Sequence, residues 1–130
     1  MSMNDTLANA LSHILNCEKI GKTECTIKNV SKVIKTTVEI LKKHGYLGKI
    51  TSTKDARGET MIIELKGTIN NCGAIKPRFP VTMGDYEKFE KRYLPAKDFG
   101  IMIVSTPKGM MIQDEAVKQN LGGKLIAYCY

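Results

Sequence analysis

The stretch IMIVSTPKGMMI, residues 101–112, decides how this chain is read. Two short apolar runs flank a small polar loop, Ser105-Thr106-Pro107-Lys108-Gly109. Apolar, partly β-branched runs joined by a loop with Pro and Gly predict a buried β-hairpin. On residue types alone the loop has four possible jobs. It can turn the chain, cradle a phosphate, hold a nucleophile or touch RNA.

Two of these jobs fail on spacing. A nucleophile elbow needs Gly two residues before and two after its serine. Around Ser105 those positions hold Ile103 and Pro107, and the second half of the chain has no histidine to act as base. A lysine three residues along, Lys108, is weak support for a Ser-Lys pair. A P-loop reads GxxxxGK[ST]. Gly21-Lys22-Thr23 supplies only its tail, because Asn16 stands where the first glycine belongs and a helix, not a strand, precedes it. No paired carboxylates suggest a glycosidase or a metal site. No catalytic residue is expected.

Outward from the hairpin, the second half reads as mostly β with short helices. AIKPRFPVT, 74–82, is extended, with Pro77 and Pro80 suited to an edge. GDYEKFEKRYL, 84–94, is a short helix that Pro95 stops. After GMMI, Gln113 or Asp114 caps a single-turn helix that Asn120 ends. Gly122-Gly123 then turn the chain into a last strand, KLIAYCY.

The first half reads α-β-α-β-β. Asn4 or Asp5 caps a helix carrying Leu7, Leu11, Ile14 and Leu15, which Gly21 closes. ECTI, 24–27, is a short strand. A second helix, 31–44, has Val30, Val33, Ile34, Thr37, Val38 and Leu41 on one face. Lys28, Lys32, Lys35, Lys42 and Lys43 lie on the other. A hairpin follows, with arms 50–55 and 59–65 around Arg57-Gly58. The weakly patterned GTINNCG, 67–73, is the expected seam. The predicted class is therefore α+β, with subdomains 1–66 and 67–130.

Composition narrows the partners. The chain has 130 residues, 42% of them hydrophobic, and a net charge of +7. That is enough for a core, and no apolar run approaches a membrane span. The N-terminus lacks a basic region followed by an apolar one, so no signal peptide is expected and the cytoplasm is the default location. Residues 19–54 hold nine lysines against Glu24 and Glu39, and so account for the whole net charge. Such a concentration favours a polyanionic partner. The plain alternative is a solvated helix face. Cys17, Cys25, Cys72 and Cys129 are scattered, without a CxxC pair, as are His13 and His44. A zinc site would require a tertiary coincidence, and reduced, partly buried thiols are the expected state. No metal or cofactor is expected.

What remains for the loop is a plain turn or a recognition loop. Small hydroxyls give short, rigid donors and acceptors, and Gly109 permits close approach. Pro107 lowers the entropy lost on binding. Such a loop suits an irregular RNA helix, because the regular A-form major groove cannot be entered.

Here the residues become specific. STPKGMMIQDEAVKQNLGGKLIAYCY closely resembles the C-terminal signature of the universal small-subunit ribosomal protein eight family. That signature is a Ser-Thr-x-x-Gly loop, an acidic-Ala helix turn and Gly-Gly before a final strand. NDTLANALSHILNCEKIGK looks like the family's opening helix, and HGYLGKI like its turn after the second helix. IKPRFPV and LPAKDFGIMIVST look like the archaeal and eukaryotic branch. The resemblance covers essentially the whole chain.

The resemblance implies two small α/β subdomains packed together, and a structural component of the small ribosomal subunit. It implies a primary binder of an irregular helix in the central domain of small-subunit rRNA, which helps that domain fold and assemble. Neighbouring small-subunit ribosomal proteins are the other implied partners. By the same resemblance the RNA-binding residues are Ser105, Thr106, Pro107, Lys108 and Gly109, supported by Gly122 and Gly123. Asn4, Asp5, Thr6, Asn9, Lys28 and Lys32 are the implied phosphate and sugar contacts. Many family members carry a second serine where this chain has Pro107, so any contact made by that hydroxyl is missing here. The alternatives are a translational regulator of the protein's own messenger, or a small enzyme acting on a phosphorylated metabolite.

Overall fold

Helix α1 spans Thr6–Lys19 in the computed structural model, which describes residues 6–76, 78–96 and 99–130. Leu7, Ala10, Leu11, Ile14 and Cys17 recur at helical spacing and are buried. Leu15 is only half-buried. Gly21, at φ 78°, ends the helix: its N–H donates to the Glu18 carbonyl and that of Lys22 to the Cys17 carbonyl. The caps expected at Asn4 and Asp5 lie outside the described residues.

Strand β1, Glu24–Ile27, buries Cys25 and Ile27 and exposes Glu24 and Thr26. Helix α2, Lys32–Lys43, starts where the Ser31 hydroxyl accepts the Ile34 N–H at 3.3 Å. It buries Ile34, Thr37, Val38 and Leu41. Strands β2, Leu47–Asp55, and β3, Gly58–Leu65, form an antiparallel hairpin. At its tip the Asp55 carboxylate accepts the Arg57 N–H at 2.7 Å. Strand β2 begins at Leu47 rather than Ile50, because an irregularity between those residues breaks the alternation that marks a strand. The sheet order is β1-β3-β2.

The chain divides into two compact units, Met1–Ile69 and Asn70–Tyr130. The second holds β4 (Cys72–Ala74), β5 (Pro80–Val81), α3 (Tyr86–Tyr93), β6 (Ile101–Thr106), β7 (Gly109–Ile112), α4 (Gln113–Lys118) and β8 (Gly123–Cys129). All its strand pairs are antiparallel, in the order β4-β8-β6-β7, with β5 also on β8. The fold class is α+β, with a first unit of α-β-α-β-β and a mostly β second unit.

Within the weakly patterned stretch 67–73, Cys72 and Gly73 open strand β4, which pairs with β8. One local expectation is corrected. Neither Gln113 nor Asp114 is the cap: Ile112 holds that position, Asp114 lies inside the helix, and Gln113 is buried with its Oε1 accepting the Met102 N–H at 2.8 Å. A buried N–H needs a partner, and the side chain supplies it. Pro80 stands in β5, which among the described residues pairs only with β8; Pro77 lies outside them. The core of this unit gathers Ile75, Tyr86, Phe89, Met102, Val104 and Leu125. Tyr86 sits within it, its hydroxyl donating to the Leu121 carbonyl at 2.7 Å.

Candidate nucleic-acid interface

The hairpin β6–β7 ends in a turn whose central residues are Pro107 and Lys108. The proline ring fixes the first backbone angle, and Gly109 adopts φ 115°, open mainly to glycine. Thr106 lies beneath the turn, 8% exposed. Its hydroxyl donates to the Gly109 carbonyl at 2.7 Å and accepts the Lys108 N–H at 3.2 Å. Thr106 therefore holds the turn from inside. Ser105, Pro107, Lys108 and Gly109 are exposed. The Ser105 hydroxyl has no protein partner among the described residues.

The two glycines of β8 and its approach act by being small. A Cβ on Gly123 would overlap the Ser105 carbonyl and press on the Thr106 Cα. A Cβ on Gly122 would lie 2.7 Å from the Val81 carbonyl. Both therefore let β8 lie against its neighbours at the base of the loop. Lys124 then pairs across from Ser105, and both residues are exposed. Sequence reading missed Lys124. Its position follows from strand register, and only the adjoining Gly122-Gly123 pointed toward it.

In the first unit, Thr6, Asn9 and Lys28 line one groove of about 250 Å³. His13, Thr26 and Asn29 line it too, and were not singled out for this role from the sequence. Asn29 sits at φ 55°, in the left-handed region that Asn tolerates, and shapes the turn between β1 and α2. Lys32 opens α2 but does not line the groove. Lys28 and Lys32 are exposed and have no carboxylate partner among the described residues. Lys35 differs, because its Nζ lies 3.4 Å from Glu59 Oε2. The Ser52 hydroxyl donates to the same carboxylate. That bond, followed by the Lys35 charge, holds the Glu59 carboxyl below its usual range. The lysine stripe is thus not uniform. Asn4 and Asp5 lie outside the described residues.

The other candidates are less suited to nucleic acid. Tyr128 is half-buried and stacks on Tyr93 and Tyr130, with burial first among the causes that raise its hydroxyl's pKa. Burial likewise raises that of Tyr86. Arg92 lies over the rings of Phe79 and Tyr93, at 5.1 and 5.7 Å. A larger groove, about 540 Å³, lies between α3 and α4 and includes Met83, Leu94 and Val117. None of the expected RNA-binding residues lines it.

All four cysteines are buried, and none forms a disulfide among the described residues. Burial, then a hydrogen bond with Cys17, pushes the Cys25 thiol up to about 12. Among the described residues no helix is long and apolar enough to cross a membrane. What the surface offers is a stiffened hairpin tip with two lysines and a hydroxyl that has no protein partner among the described residues, and a groove with Lys28 on its wall, beside Lys32 at the start of α2. Against this geometry, a family model described as Ribosomal protein S8 matches residues 5–130.

Proposed function

The chain belongs to the Ribosomal protein S8 family, and on that premise we propose that it grips an irregular helix in the central domain of small-subunit rRNA. Membership itself makes it a non-enzymatic ribosomal protein with a structural, rRNA-binding role in the small subunit. The proposal adds the target and the contacts. The protein binds early and helps the central domain fold, beside neighbouring small-subunit proteins, on cytoplasmic ribosomes of the archaeal and eukaryotic type.

One observation carries the reading. Ser105 presents an unpaired hydroxyl on a tip that Thr106, Pro107 and Gly123 hold in shape, with Lys124 directly across the strand pair. The hydroxyl reads a base edge or sugar hydroxyl, while Lys108 and Lys124 meet phosphates. Thr106, Gly122 and Gly123 act by shaping the tip. Thr6, Asn9, Lys28 and Lys32 form a second contact region, in which charge supplies affinity.

The test is a binding titration at two salt concentrations with a central-domain rRNA fragment and a scrambled duplex of equal length. Strong preference for the fragment that persists at higher salt supports the reading. Equal, salt-sensitive binding to both defeats it.

A further inference from the structure

We propose that His13, Cys17 and Cys25 bind a single Zn²⁺ ion. His13 and Cys17 lie four residues apart on α1, and so share a face. Cys25 occupies a buried position of β1. Packing brings the three together although their sequence spacing scatters them. One His13 ring nitrogen and the two Sγ atoms all lie within 4.8 Å of one another, and Cys17 Sγ is 3.9 Å from His13 Nε2. Zinc bonds of about 2.3 Å to sulfur and 2.0 Å to nitrogen put tetrahedral donors roughly 3.5–3.8 Å apart. The three side chains need to close only slightly to reach that spacing.

The donor chemistry selects the ion. Two sulfurs and an imidazole suit a soft or borderline ion such as Zn²⁺, not Mg²⁺ or Ca²⁺, which prefer oxygen. On binding, two thiol protons leave to solvent, and the two thiolates balance the ion's charge. The filled site is therefore neutral, as a buried position requires. Cys17 and Cys25 are 4% and 2% exposed, whereas His13 is exposed, so the ion enters from the histidine side. A water takes the fourth position there. His13 also lines the groove with Asn9 and Lys28, so the ion ties α1 to β1 directly behind that groove. Among the described residues no other trio of His, Cys, Asp or Glu is so placed. Cys72 and Cys129, though paired across β4 and β8, belong to no such trio.

The experiment titrates the reduced, metal-free protein with Co²⁺, followed by Zn²⁺. The expected result is a near-ultraviolet thiolate-to-cobalt band that saturates at one ion per chain and is abolished by Zn²⁺. C17S and C25S lose the band, while the double variant C72S/C129S keeps it. H13A keeps thiolate ligation but binds about tenfold more weakly or worse, since even an outer partner of a ligand is worth roughly 10–100-fold. His13 is exposed, so H13A remains informative if C25S fails to fold. Absence of a saturable band in the wild type overturns the proposal. So does a band that survives C17S, one lost in C72S/C129S, or an unchanged affinity in H13A.

Discussion

The hydroxyl of Thr106 is engaged inside its own turn, while that of Ser105, one residue earlier, faces solvent. Stability and recognition should therefore separate between neighbours. T106V removes a donor to the Gly109 carbonyl and an acceptor for the Lys108 N–H, and should cost about 1 kcal/mol of stability. Denaturant unfolding measures it. S105A should leave that unfolding curve unchanged and weaken binding to the rRNA fragment by about 1–3 kcal/mol, with little effect on the scrambled duplex. Equal weakening of both RNAs would show that Ser105 reads nothing. Gly123 is the third residue of this set. G123A forces a methyl group into backbone of the adjacent strand, which cannot swing away as a side chain does. A loss of about 3 kcal/mol or more is expected, beyond the usual range for overpacking.

Helix α2 and the start of α3 carry the predictions that belong to whole elements. Lys28 and Lys32, before and at the start of α2, should each lower the salt slope of RNA binding by about one unit when changed to Ala. Lys35, held by Glu59, should lower it less. At the start of α3, Asp85 accepts the Thr82 N–H at 3.1 Å and its hydroxyl at 2.9 Å, which holds the Asp85 carboxyl below its ordinary value of 3.8. A carboxyl lowered in the folded state adds stability above its unfolded pKa and loses it as pH falls through the folded one. The gap in melting temperature between wild type and D85N should therefore be present at neutral pH and close in acid. Elements with their own local signal were legible in the sequence. Glu24–Ile27 alternates cleanly, and Gly109–Ile112 is bounded by its turn on one side and a helix on the other. Strand β4 has only 3 residues, too few to show a period, and exists because β8 pairs with it. Lys124 beside Ser105 depends on register, and Cys25 beside Cys17 on packing, so neither could be read along the chain. The turn at Pro107 was legible; the inward use of Thr106 was not, because one hydroxyl beside another gives no sign of which is buried.

Across the whole molecule the charge is shared more evenly than the lysine run suggests. Residues 1–69 hold eleven cationic against seven acidic side chains, and residues 70–130 nine against six. Each unit thus has its own positive excess to offer a phosphate backbone. If both meet one RNA, the loss of salt slope in K28A/K32A should add to that in K108A/K124A when the four changes are combined. A combined slope no smaller than that of the worse pair would mean that only one unit touches the RNA. The strand order β4-β8-β6-β7 also bears on how the chain is made. On the translating ribosome β6 and β7 can close their hairpin as soon as both emerge, but β4 and β5 wait for β8, which leaves the exit tunnel later. Until Cys129 is out, the sheet lacks the strand that joins its parts. A nascent chain from which β6 and β7 have emerged but β8 has not therefore exposes unpaired strand edges to chaperones and proteases until β8 follows.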